Sequence, residues 1–132
     1  MLALEDLPIV ILVIEDDELI QSIVEDALTE GGFEPVIVSS GESAVEQLDA
    51  SHRKYRALVT DINLGRGKMD GWEVARHARG IDPAFPVVYT SGDCAEDWGS
   101  KGVPNSILLA KPFGPAQLVT VVSLLLNAGT PT

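Results

Sequence analysis

Ile9-Val10-Ile11-Leu12-Val13-Ile14-Glu15-Asp16-Asp17 is the stretch on which the fold turns. Its first six residues are apolar, five of them are β-branched, and the run stops abruptly at three acids. A half-buried strand alternates polar and apolar residues, so an unbroken apolar run of this length predicts a strand buried on both faces. Asp17 is placed to cap the N-terminus of a following helix that runs to about Glu30, where Gly31-Gly32 ends it. Within that helix Leu19, Ile20, Ile23, Val24, Ala27 and Leu28 share one half of the helical wheel.

Four further strand candidates follow: Pro35 to Val38, Ala57 to Thr60, Pro86 to Tyr89, and Ser106 to Ala110. Helix candidates lie between and after them, at Glu42–Ala50, Trp72–Gly80, Asp93–Lys101 and Pro115–Asn127. The last has Pro115 in its first turn and Gly129 beyond its end, the usual polarity of a capped helix. Five β units alternating with five α units predict right-handed crossovers and a doubly wound α/β domain. Its five-stranded parallel sheet is flanked by five helices. In such a domain the ligand site lies outside the carboxyl ends of the strands.

Composition narrows the function classes. The 132 residues suit one domain, and 45% apolar residues suffice for a core. Nine basic against twenty acidic residues give a net charge of −11. No basic run could release phosphate counterions in quantity, which argues against nucleic acid, and the acidity disfavours anionic lipid. The apolar run Pro8–Ile14 is too short for a membrane span or a signal-peptide core. A lone Cys94 forms no internal disulfide and suits a reducing, cytoplasmic setting.

The strand ends gather the chemistry. The first delivers Glu15 and Asp16, the third Asp61, the fourth Thr90-Ser91, and the fifth Lys111-Pro112. Two carboxylates about 5 Å apart repel by roughly 3 kcal/mol at an effective dielectric near 20. Three acids facing one lysine therefore call for a divalent cation, and all-oxygen ligands favour Mg²⁺. An Asp beside a metal, a hydroxyl and an ammonium is placed to become an acyl phosphate. Each element alone is weak: acids cap helices, threonine forms strands, and Lys-Pro makes turns. Their joint occurrence at successive strand ends carries the inference.

The segments Ile11-Leu12-Val13-Ile14-Glu15-Asp16-Asp17, Val59-Thr60-Asp61-Ile62-Asn63-Leu64, Met69-Asp70-Gly71, Tyr89-Thr90-Ser91 and Lys111-Pro112-Phe113 resemble the receiver domain of two-component response regulators. The resemblance extends from Ile9 to about Asn127. It implies a flavodoxin-like sheet of order 2-1-3-4-5. It also implies that Asp61 takes a phosphoryl group from a sensor histidine kinase or a histidine phosphotransfer protein. Glu15 and Asp16, with Asp61 and the main-chain carbonyl of Asn63, would organise Mg²⁺; Thr90 would be the switch hydroxyl and Lys111 the phosphoryl-binding lysine. The Lys111-Pro112 bond is expected to be cis, a form found essentially before proline alone.

This chain departs from the family pattern twice. Leu108 stands where an aromatic often precedes the lysine by three residues, so coupling to the surface is expected to use other packing. The loop Leu64-Gly65-Arg66-Gly67-Lys68-Met69 is long, lacks the usual proline and carries two cations. It reads as a surface loop, with Arg66 or Lys68 approaching the phosphoryl group as the sharper alternative.

Residues 1–132 are read as a single receiver domain without an output domain, so signalling is expected to pass through protein contact with a downstream partner. Leu124 falls outside the apolar arc of the last helix (Leu118, Val119, Val121, Val122, Leu125 and Leu126) and is a candidate contact for a homodimer or a target. Trp98 is a second candidate contact. Trp72 reads as packing, and His52 and His77 read as surface histidines. The chain is expected not to be an enzyme with a separate substrate. Alternatives are a phosphate sink or relay intermediate, a non-phosphorylatable interaction module, and a small aspartyl-phosphate phosphatase. Against the last, Asn63 stands where the haloacid dehalogenase type has a second Asp.

Overall fold

A computed structural model of the chain describes residues 7–65, 69–93 and 95–128. Five strands, β1 (Ile9–Ile14), β2 (Phe33–Val38), β3 (Tyr55–Asp61), β4 (Val87–Ser91) and β5 (Ile107–Ala110), form one parallel sheet of order β2-β1-β3-β4-β5. Helices α1 (Glu18–Glu30), α2 (Gly41–Ser51), α3 (Gly71–Ile81), α4 (Trp98–Lys101) and α5 (Pro115–Ala128) alternate with the strands.

The continuous apolar runs are explained by a core on each face. From β1, Val10, Leu12 and Ile14 enter the cluster that packs against α2 and α3, while Ile11 and Val13 enter the one against α1 and α5. β4 divides likewise, with Val87 and Tyr89 on one side and Val88 on the other. Each fully buried aliphatic side chain contributes roughly 1.5–3 kcal/mol, so the central strands are the most strongly held part of the molecule.

The predicted cap at Asp17 forms where the site begins, and a second one, at Asp70, joins it. Asp17 accepts the Leu19 and Ile20 amides at 2.9 and 3.3 Å, and Asp70 caps α3 in a reciprocal box with Glu73. Three expectations need correction. Leu19 and Ile23 lie on the apolar half of α1 but are 73% and 42% exposed, because the sheet covers only the narrower strip Val24, Ala27 and Leu28. The helix expected over Asp93–Lys101 is one four-residue turn, α4, preceded by a 3₁₀ turn at Ala95–Asp97. Gly99 weakens helix there by about 1 kcal/mol relative to Ala, and the Gly102 amide closes the turn onto the Trp98 carbonyl at 2.9 Å. Finally, β2 and β3 each begin two residues before the expected Pro35 and Ala57. Cys94, Arg66 and Lys68 lie outside the described residues.

Candidate functional site

Parallel strands of similar length bring their carboxyl ends to one edge, and the chain places its charged residues there. Glu15 follows β1 and its amide bonds the Val38 carbonyl at 3.1 Å, so it continues the ladder into the site. Asp61 ends β3, in register with Thr90 on β4, and the Ile62 amide bonds the Thr90 carbonyl at 3.1 Å. The Lys111 amide, just past β5, bonds the Ser91 carbonyl at 2.8 Å. The Lys111–Pro112 peptide is cis.

These placements converge on one acidic pocket. Carboxylate oxygens of Glu15, Asp16 and Asp61 all lie within 4.8 Å of one another. Lys111 Nζ lies 2.9 Å from Glu15 Oε1 and 3.2 Å from Asp61 Oδ2. Glu15, Asp61 and Thr90 are buried, while Asp16 is exposed at the mouth. Burial raises the Glu15 and Asp61 carboxyls above their ordinary range despite Lys111, and their neighbouring acids, Asp61 for Glu15 and Asp16 for Asp61, push the same way. Burial pulls the Lys111 ammonium down, but Glu15 and Asp61 together outweigh it and hold the ammonium above its ordinary value.

A concentration of negative charge with one cation suits a further positive charge. The donors are all oxygen, which selects a hard cation such as Mg²⁺ rather than a thiol- or imidazole-seeking metal. The three carboxylates therefore fit a divalent ion on both charge and donor chemistry. The nearby Asn63 backbone N–H pulls the Asp61 carboxyl down, against the effect of its burial.

Several supports are invisible in the motifs. Gln21 Nε2 donates to the Glu15 carbonyl at 2.6 Å and to Ser39 Oγ at 3.2 Å, bracing the turn that presents the acid pair. Gly65 has φ +58°, and a Cβ there would come 2.6 Å from Asp16 Oδ2. Gly71 approaches so closely that a Cβ would run into the Asp61 carbonyl oxygen and stand 2.8 Å from Ile62 Cα. The Asp-Gly pair before α3 was a readable signal for a turn, but its contact with the strand end was not.

The remaining candidates divide. Leu108 is half-buried, beside Tyr89 in the β4–β5 register, so the aromatic in this region is Tyr89 itself. Tyr89 stacks at a tilt on Trp72, with centroids 4.8 Å apart, and its hydroxyl accepts the Val103 amide at 3.1 Å. Trp72 is buried as expected. Trp98 and Leu124 are 38% and 57% exposed, with the Trp98 indole N–H donating to Ser106 Oγ at 3.0 Å. His77 pairs with Asp49 at 2.7 Å on the surface, and His52 lies at the opposite end of the sheet, where β3 begins. Neither histidine reaches the acidic pocket.

Comparison with known proteins follows the same lines. The family model of the response regulator receiver domain matches residues 11–123. The response regulator receiver protein CpdR of Brucella abortus is 32% identical over 120 residues, covering 89% of this chain and 97% of that protein. A crystal structure of a response regulator receiver protein from Sinorhizobium medicae superposes with a TM-score of 0.84 at 47% identity, covering 92% of this chain and 96% of that one. The chain spans about half (48%) of a longer relative, the alkaline phosphatase synthesis transcriptional regulatory protein PhoP of Bacillus subtilis, at 28% identity over 89% of its own length.

Proposed function

The chain belongs to the response regulator receiver family, and from that premise we propose that it accepts a phosphoryl group on Asp61 and signals by protein contact. One observation carries the reading: a buried aspartate at the end of a central strand, 3.2 Å from an ammonium and clustered with two further carboxylates. An Asp61 oxygen attacks phosphorus as the P–N bond to a donor imidazole breaks, and the imidazole nitrogen keeps that electron pair. Lys111 then exchanges its contact with Asp61 for one with a phosphoryl oxygen, and the Thr90 hydroxyl turns to donate to another. Glu15, Asp16 and Asp61, with the Asn63 carbonyl, would hold Mg²⁺, which offsets charge on the transferring group. The chain turns over no separate substrate in this account. Trp98 and Leu124 are the exposed contacts proposed for a downstream protein or a second copy.

Incubation with acetyl phosphate and Mg²⁺, followed by a phosphate-affinity gel, tests the proposal. A shifted band is expected, and EDTA should remove it. Labelling that persists undiminished in EDTA would contradict the metal's role. Lys111→Ala should slow labelling by roughly 10²-fold, the scale of one lost electrostatic donor.

The donor must reach the same edge, and an apolar surface borders it. Ile20, Ile23, Pro112 and Phe113 line a recess of about 170 Å³ beside Lys111, with exposed Leu19 on the same helix. We propose that the phosphodonor protein docks there. Ile23→Asp should then slow transfer from a cognate phosphohistidine protein at least tenfold while leaving acetyl phosphate labelling unchanged. Equal loss with both donors would place the defect in the pocket instead.

A further inference from the structure

At the end of the sheet opposite Asp61, where β3 and β4 begin, a hollow of about 500 Å³ opens to solvent. That volume lies in the range of ligand sites, roughly 300–1,000 Å³. Its walls combine His52, Arg53 and Arg56 with the apolar side chains of Phe85, Leu125 and Leu126. Three of the nine basic residues of a chain with net charge −11 thus fall within the four positions 53–56. Among the described residues, Arg53 and Arg56 have no carboxylate within 4.0 Å. Lys54 instead lies over the Tyr55 ring, 5.7 Å from its centroid.

The placement of Arg56 is built into the sheet. The β1–β3 register runs from Val10↔Tyr55 to Ile11↔Ala57, so Arg56 is the extra residue of a bulge, the device by which strands re-aim a side chain. Arg79 fixes the facing wall by donating from Nε to the Phe85 carbonyl at 2.6 Å. The C-terminal ends of α3 and α5 both line this hollow, and their dipoles favour a cation by about 0.3–1 kcal/mol each at most. That accounts for basic residues at this end but not for two guanidiniums left without an acid beside a half-apolar hollow.

We propose that this hollow docks an acidic segment of a partner protein that also carries apolar side chains. Its carboxylates would meet the Arg53 and Arg56 forks, which match carboxylate geometry, and its apolar side chains would cover the half-buried Ile81, Pro86 and Leu125. A long polyanion is disfavoured because two arginines do not offset repulsion from the rest of the acidic surface. Asp82, the one acid on the wall, repels carboxylates, so the partner's acids would have to sit on the Arg53 and Arg56 side of the hollow. The site lies at the far end of the sheet, so its occupancy is testable separately from Asp61 chemistry.

Fluorescence anisotropy with the full chain and a labelled peptide of alternating Glu and Leu is the test, with a Lys-Leu and a Glu-Ser peptide as controls. Saturable binding of the Glu-Leu peptide is expected, at least tenfold tighter than either control. Arg53→Glu/Arg56→Glu should weaken it at least tenfold and leave acetyl phosphate labelling of Asp61 unchanged. Amide NMR shifts on titration should centre on Tyr55, Phe85 and Leu125. Equal binding of the Glu-Leu and Lys-Leu peptides, or undiminished binding in the arginine variant, would overturn the proposal. So would absence of peptide binding together with self-association that the arginine variant abolishes, which would assign the surface to a second copy of this chain.

Discussion

Asp61→Asn should eliminate labelling by acetyl phosphate and, in the same protein, raise its melting temperature without Mg²⁺. The first effect follows from the loss of the attacking oxygen. The second follows from electrostatics. Burial holds the Asp61 carboxyl above its ordinary value of 3.8, so folding favours its protonated form. That contribution is present at low pH and is lost as pH rises through the folded-state value, beyond which the ionised group costs stability. An amide removes that cost, and Lys111 keeps Glu15 at 2.9 Å as its partner. A gain of about 1 kcal/mol, or roughly 3–5 °C, is expected at pH 7. Thermal melts across pH should show the gap closing as pH falls toward the ordinary carboxylate range. A mutant that melts below wild type at pH 7 would show that Asp61 is a net stabiliser.

Gly71→Ala should be the most damaging single-methyl change near the site. The added Cβ meets the Asp61 carbonyl oxygen and Ile62 Cα, both backbone atoms of the strand end, and no side chain there can swing aside. The Gly71 amide is also tied to the Ile62 carbonyl at 2.8 Å, so relaxation must move α3 or β3. The expected cost is about 3 kcal/mol, the upper end of ordinary overpacking, or roughly 10 °C in a circular dichroism melt. Labelling of Asp61 should slow as well, because displacement of its carbonyl turns the carboxylate away from Lys111. A melt within a degree or so of wild type would contradict the close approach.

Much of this was legible in the chain because parallel sheets write their burial plainly. β1 reads as an unbroken apolar run since Leu12 and Val13 point into different cores, and its end is marked by the acids that the strand delivers. Asp17 was readable as a cap, a local matter of a few residues. What could not be read is long-range or depends on width. The helical wheel of α1 shows an apolar half, but not that Leu19 and Ile23 stay exposed, with Ile23 beside Phe113. Gln21 resembles any solvated helix residue until the chain folds it back onto the Glu15 carbonyl. The Arg56 bulge depends on how β1 meets β3, and α4 shrank because Gly99 and Gly102 punctuate a stretch with no apolar stripe to hold it.

The central claim is that Asp61, rather than a neighbouring acid, becomes the acyl phosphate. Reaction with acetyl phosphate and Mg²⁺, trapping with borohydride and peptide mass spectrometry locate the modified residue directly. Reduction at Asp61 alone, absent when EDTA replaces Mg²⁺, is the predicted result. Modification at Glu15, Asp16 or any residue outside the pocket, with Asp61 intact, would contradict the account.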